Sequence, residues 1–290
     1  MKYVRRTKEV VLSIWQDVER KHLLLVSAGL AYYLLMSLFP ALLLVTAVAA
    51  YVPQDALYEA GQFLNNMIGS RAVSLIQQML ATITPHRLGL LSFGIVTTLW
   101  LTSKGVKAII WGLDIVYDAR ASRSLWITRI LAFGLTFAVS LLLLIGVIVM
   151  LVGPTLEEFL ARVAPVQTVW LEIWPYVQWL LSALFTFAAI ELLYLFAPNV
   201  PRANRLTVLG AIAATLSWLL LSWGLRLYFD YFGNWKLDQL YGIFATPIAV
   251  MIWLYWSAVV LLLGAQLNVS LQLDKRLEDR SSAPEKELSR

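Results

Sequence analysis

Six stretches of this chain are too long, too apolar and too poor in charge for a soluble domain. They centre on about 28–52, 88–112, 130–152, 174–197, 206–226 and 244–270, each near or above the ~20 residues a helix needs to cross a hydrocarbon layer. Only 14% of the residues are charged and the mean hydropathy is +0.72, where soluble domains carry about a quarter charged. The twelve Trp, twelve Tyr and twelve Phe suit repeated membrane–water crossings. The expected fold is therefore all-α. It is a polytopic membrane protein with six transmembrane helices, an amphipathic N-terminal helix and a helical outer cap.

Charge orients these spans. With both termini in the cytoplasm, the inside segments are 1–22, about 114–129, 198–205 and 271–290, and they hold sixteen of the 23 lysines and arginines. The outside loops hold four, Arg71, Arg87, Arg162 and Lys236. Such a bias fixes orientation. The charge-free run from Leu23 to Gln54 exceeds a cleavable apolar region, so the first span reads as a retained signal-anchor.

Three regions follow. Residues 1–22 form a cytoplasmic segment in which Val11, Ile14, Trp15 and Val18 recur at helical spacing, a pattern that suits a helix lying on the membrane surface. Residues 23–272 form the six-helix domain. Its outer loop 53–87 carries two amphipathic patterns parted by Gly69-Ser70, read as helices that cap the outer face. Residues 273–290 lose their apolar content after Leu277 and read as a disordered cytoplasmic tail.

Polar groups inside the spans are the candidate functional residues. Glu191 lies six residues before Ala197, and Lys104 and Lys107 lie at a similar cytoplasmic depth in the second span. An isolated carboxylate at that depth is costly, so pairing of Glu191 with Lys107 or Lys104 is expected. The alternatives are snorkelling lysines with a neutral or wetted Glu191, and contact with a substrate. Asp114 and Asp118, at i and i+4, offer a metal pair or partners for Arg120 and Arg123. Arg226 and Asp230 share one helix face and anchor the fifth span at its outer end. Gly210, Ala214, Ser217 and Gly224 in the fifth span, and Ser257, Gly264 and Asn268 in the sixth, form small-residue stripes that permit close helix approach and interhelical hydrogen bonds. In the first span, Gly29, Tyr33 and Ser37 share one stripe, with Tyr32 about 100° away. Pro40 removes a backbone hydrogen bond, so a kink is expected there. Tyr32, Tyr33, Ser37, Lys104, Lys107, Glu191, Gln266 and Asn268 together make the candidate cavity or polar network.

Two segments carry a family resemblance. SAGLAYYLLMSLFPALLL near the start and YGIFATPIAVMIWLYWSAVVLLLGAQLNVSLQ near the end resemble the YihY/BrkB family of bacterial inner-membrane proteins. The likeness covers roughly residues 20–272, and LWLTSKGVKAIIWGLDIVY looks like the family's second span. In Gly264-Ala265-Gln266-Leu267-Asn268, Gln266 stands where the family has an acidic residue. The resemblance implies a role in the envelope, with links to serum resistance and, for some members, to transport of envelope lipids.

The family has also been labelled ribonuclease BN, and the residues argue against that label. A metal-dependent nuclease needs several His and Asp ligands on one or two metals. This chain has no cysteine and only His22 and His86, which the topology puts on opposite sides of the membrane. No catalytic set, metal site or cofactor is expected, and no nucleic-acid partner. No GxxxxGK[ST] motif is present, so transport would be energised by a gradient, by a partner or not at all. Two functions remain. One is handling or translocation of lipids or other amphiphiles between leaflets, with membrane lipids as partners. The other is a non-catalytic scaffold that supports envelope assembly, with envelope-assembly proteins as partners.

Overall fold

A computed structural model describes residues 12–49, 88–119, 123–160, 166–201, 207–228 and 245–287. Seven helices lie among these residues: α1 (12–20), α2 (Leu23–Ala49), α3 (Leu88–Val116), α4 (Leu125–Leu160), α5 (Val166–Phe196), α6 (Val208–Tyr228) and α7 (Ala245–Glu287). Each expected span overlaps one of α2 to α7. Among the described residues, three stretches are long and apolar enough to cross a membrane: Trp179–Phe196, Val208–Leu225 and Ile248–Leu273. The outer cap 53–87 and Asp230 lie outside the described residues. So does the side chain of Pro40, although α2 is assigned helical straight through that position.

One expectation is corrected. The tail 273–290 was read as disordered, yet α7 continues to Glu287. Its Lys, Arg, Glu and Leu are good helix formers, and they extend a helix that is already nucleated, so the nucleation cost is not incurred again.

The chain forms two compact units. The first comprises 1–35, 106–135 and 186–290; the second comprises 36–105 and 136–185. In the second unit, α4 approaches α5 where Gly146 faces the ring of Phe185. A Cβ on Gly146 would lie 3.3 Å from that ring.

The first unit buries Leu23, Leu30, Ile110, Leu113 and Leu262, but α6 packs through its small residues. On α6 the buried residues are Gly210, Ala211, Ala214 and Thr215, while Leu209, Leu216, Leu220 and Trp223 are exposed. Small and polar groups point inward and large apolar ones outward. That arrangement suits a hydrocarbon solvent, in which burying a leucine gains little and close backbone approach gains more.

The tightest approach is between α6 and α7. A Cβ on Gly264 would sit 2.5 Å from the Tyr194 hydroxyl, 2.7 Å from Ala214 Cβ and 2.7 Å from the Gly210 carbonyl. One on Gly210 would collide with the Gly264 carbonyl and the Asn268 side chain. Farther along the same pair, Trp218 Nε1 donates to Ser257 Oγ at 3.1 Å. The α3 helix joins through Gly112, where a Cβ would lie 3.1 Å from Leu30 on α2 and 3.3 Å from Leu262 on α7.

The stripes read in the sequence are therefore partly contact surface. Gly210, Ala214, Ser257, Gly264 and Asn268 meet a neighbouring helix; Ser217 is exposed and Gly224 faces open space. Gly264→Val should lower unfolding stability in detergent by about 2 kcal/mol or more through overpacking. Gly224→Ala should leave it unchanged or raise it by up to about 1 kcal/mol through helix propensity. Chemical denaturation of the two variants checks both.

Candidate functional site

The polar groups of the first unit gather where α5, α6 and α7 meet. The first four N–H groups of any helix lack partners within it. Thr207 occupies the N-cap position of α6, and a cap threonine ordinarily bonds the third helical N–H with its own hydroxyl. Here Asn268 of α7 supplies that acceptor. Its Oδ1 accepts from Gly210 N at 2.7 Å and its Nδ2 donates to the Thr207 carbonyl at 3.0 Å. The Thr207 hydroxyl is thereby released to donate to Glu191 Oε1 of α5 at 2.5 Å.

This geometry corrects the expected pairing of Glu191 with Lys107. Glu191 is satisfied on one oxygen by Thr207, and its Oε2 is inaccessible to solvent with no hydrogen-bond partner. Lys107 is exposed and makes no ion pair with it. Lys104 belongs to the second unit and is exposed as well. The physical reason is local. The carboxyl group sits beside the start of α6, and the Thr207 hydroxyl there takes up one of its oxygens.

Neighbouring bonds complete the junction. Tyr194 is fully buried and donates its hydroxyl to the Leu261 carbonyl at 2.6 Å. It fits only because residue 264 has no side chain. Gln266 is also 0% exposed. Its Nε2 donates to Asp17 Oδ2 of α1 at 2.6 Å and lies 3.5 Å from Ser270 Oγ.

A second set of bonds ties together the ends of helices. Lys21, only 5% exposed in its side chain, donates to the Val116 carbonyl at 2.5 Å and to Asp118 Oδ2 at 2.7 Å. It thereby satisfies the carbonyl end of α3. Asp118 adopts φ 48°, the left-handed geometry that usually falls to glycine just past a helix end. Asp114 Oδ1 accepts from Asn199 N at 2.7 Å. Arg123 donates to the carbonyls of Ala197 and Pro198 at 3.0 and 3.3 Å. Asp114 and Asp118 thus serve separate helix ends and Arg123 donates to carbonyls, while Arg120 lies outside the described residues.

The candidates from sequence divide accordingly. Glu191 and Asn268 are brought together through Thr207, and Gln266 is tied to α1. Tyr32 and Tyr33 are both exposed and stack edge to face at 5.5 Å. Ser37 is buried in the second unit. Thr207, Tyr194, Asp17 and Lys21 are the participants that sequence reasoning missed. Only Asp17, charged and set among the apolar positions Ile14 and Val18, carried a sequence signal.

Comparison with known proteins matches the model of the virulence factor BrkB family over residues 14–289. The chain belongs to the BrkB family. A ribonuclease-like protein, YfkH of Bacillus subtilis (strain 168), is 31% identical over 88% of this chain and 92% of its own length. A UPF0761 membrane protein of Tolumonas auensis is 26% identical over 95% of this chain and 90% of its own. The UPF0761 membrane protein YihY of Escherichia coli O1:K1 is 29% identical over 35% of this chain and 34% of its own. No solved structure matches. The BrkB match agrees with the resemblance read from the first and last spans, and it identifies a membrane protein.

The Asn268 cap should be measurable. Asn268→Ala leaves Gly210 N without its acceptor and should cost about 1–3 kcal/mol, read as a lowered unfolding midpoint. Asn268→Asp keeps the acceptor and should recover part of that loss.

Proposed function

We propose that this BrkB-family chain is a multi-pass protein of the bacterial inner membrane, with six crossings and both termini in the cytoplasm. It handles lipids or other amphiphiles between leaflets and catalyses no covalent reaction. The topology draws support from the bonds at the helix ends. Lys21 to Asp118, Arg123 to Pro198, and Asp114 to Asn199 join the segments that charge bias assigns to the cytoplasm. Gln266 to Asp17 links the last helix to the first.

The observation that carries the lipid reading is Lys107. It lies on α3, roughly 13 Å along the axis from Val116 at 1.5 Å per residue, and it is exposed and makes no ion pair among the described residues. A cation on the flank of a membrane helix needs water or an anionic headgroup. Trp111 one turn along is also exposed, and Tyr32 and Tyr33 add amphipathic surface on α2. The scaffold reading draws on a different observation. Asn268, Thr207 and Gln266 are committed to helix junctions, so each of these three has structural work.

Purified protein in liposomes should accelerate exchange of labelled anionic lipid between leaflets, and Lys107→Gln should reduce that rate by roughly fivefold. Absence of acceleration across a panel of headgroups contradicts lipid handling and favours the scaffold. Topology is open to thiol mapping because the chain has no cysteine. An impermeant maleimide added outside should label Gln54→Cys and spare Ser282→Cys.

A further inference from the structure

Helix α1 presents an unusual surface. The sequence pattern assigns Ile14, Trp15 and Val18 to one apolar face, yet the fold turns Ile14 and Val18 toward the protein and leaves Trp15 outside. Trp15 is 64% exposed, and Leu12, one turn before it, is 60% exposed. Glu19 and Arg20 stay exposed at the end of this helix, and Arg20 pairs with Asp17 at 2.7 Å, but two charges are turned inward. Asp17 bonds Gln266, and Lys21 bonds Val116 and Asp118. A helix whose first turn shows Leu12 and Trp15 outward and whose last turn shows Glu19 and Arg20 has the amphipathic surface of one lying at a membrane–water boundary.

The position of that surface follows from the connection. Only Lys21 and His22 separate α1 from α2, and His22 turns the chain with φ 50°. The clamps at Asp17 and Lys21 hold the chain just ahead of that turn. Trp15 and Leu12 are therefore held about two and three helical turns ahead of the point where the apolar α2 begins at Leu23. The sequence ahead of α1 adds charge: Lys2, Arg5, Arg6 and Lys8 face a single acid, Glu9.

We infer that α1 is an interfacial helix whose Leu12 and Trp15 insert into the inner leaflet and whose flanking basic residues select acidic lipid headgroups. The occupant of this face is the bilayer, on grounds of charge complementarity and continuity with α2. The inference rests on the proposed insertion of α2, which the experiment tests separately.

Single-cysteine variants Leu12→Cys and Leu25→Cys of the full chain carry an environment-sensitive fluorophore in vesicles of phosphatidylcholine with or without phosphatidylglycerol. Leu25 is exposed on α2, so its probe reports insertion of that helix. Brominated lipid should quench the Leu25 probe in both vesicles. It should quench the Leu12 probe in acidic vesicles, with the ratio of lipid to aqueous iodide quenching falling roughly fivefold or more without phosphatidylglycerol. Replacing Arg5, Arg6 and Lys8 with Gln should remove that dependence. Equal access of iodide to the Leu12 probe in both vesicles overturns the inference while leaving α2 inserted. Shielding from both quenchers overturns it in favour of a protein contact. A Leu25 probe that brominated lipid fails to quench overturns the insertion of α2, and this inference with it.

Discussion

One carboxamide holds the first unit in register. Asn268 reaches from α7 to the start of α6, accepts the Gly210 N–H and donates to the Thr207 carbonyl. Away from water, an unpaired helix end costs several kcal/mol per group, so this bond fixes where α6 begins relative to α7. The glycines at 210 and 264 follow from it, because any side chain at either position would occupy the space the carboxamide and the facing carbonyls need. Tyr194 then fills the gap left at Gly264.

The cap has a further effect on charge. Because Asn268 takes the N–H that a cap threonine normally binds, Thr207 turns its hydroxyl to Glu191. A carboxyl group inside an apolar helix is thus held by a hydroxyl, with no ion pair among the described residues. The lysines of α3 stay free to face outward, and that separation of acid from base underlies the proposed interaction with anionic lipid. Nearer the helix ends the order is reversed: Lys21, Arg123, Asp114 and Asp17 are all drawn into bonds with neighbouring segments.

The helices were legible because hydropathy and charge act over twenty residues at a time, and each expected span overlaps one helix. The small-residue contacts at Gly210, Ala214 and Gly264 were legible for a similar reason, since spacing along a helix determines which residues share a face. The partner of Glu191 was not legible. Matching opposite charges at similar depth led to lysine, but a hydroxyl at a helix N-terminus is an equally good solution, and nothing in the sequence near Glu191 points to Thr207. Periodicity likewise grouped Trp15 with Ile14 and Val18, whereas the single bond from Asp17 to Gln266, between residues far apart in the chain, rotates the helix and exposes Trp15. The tail was misjudged by composition alone, which does not count the helix already running into it.

Hydrogen exchange at the first turn of α6 tests the central claim most directly. In the native protein the Gly210 amide should exchange slowly, and in Asn268→Ala it should exchange at least tenfold faster, the change expected for loss of about 1.4 kcal/mol of local protection. An amide at Gly210 that exchanges equally slowly in both proteins would contradict the account.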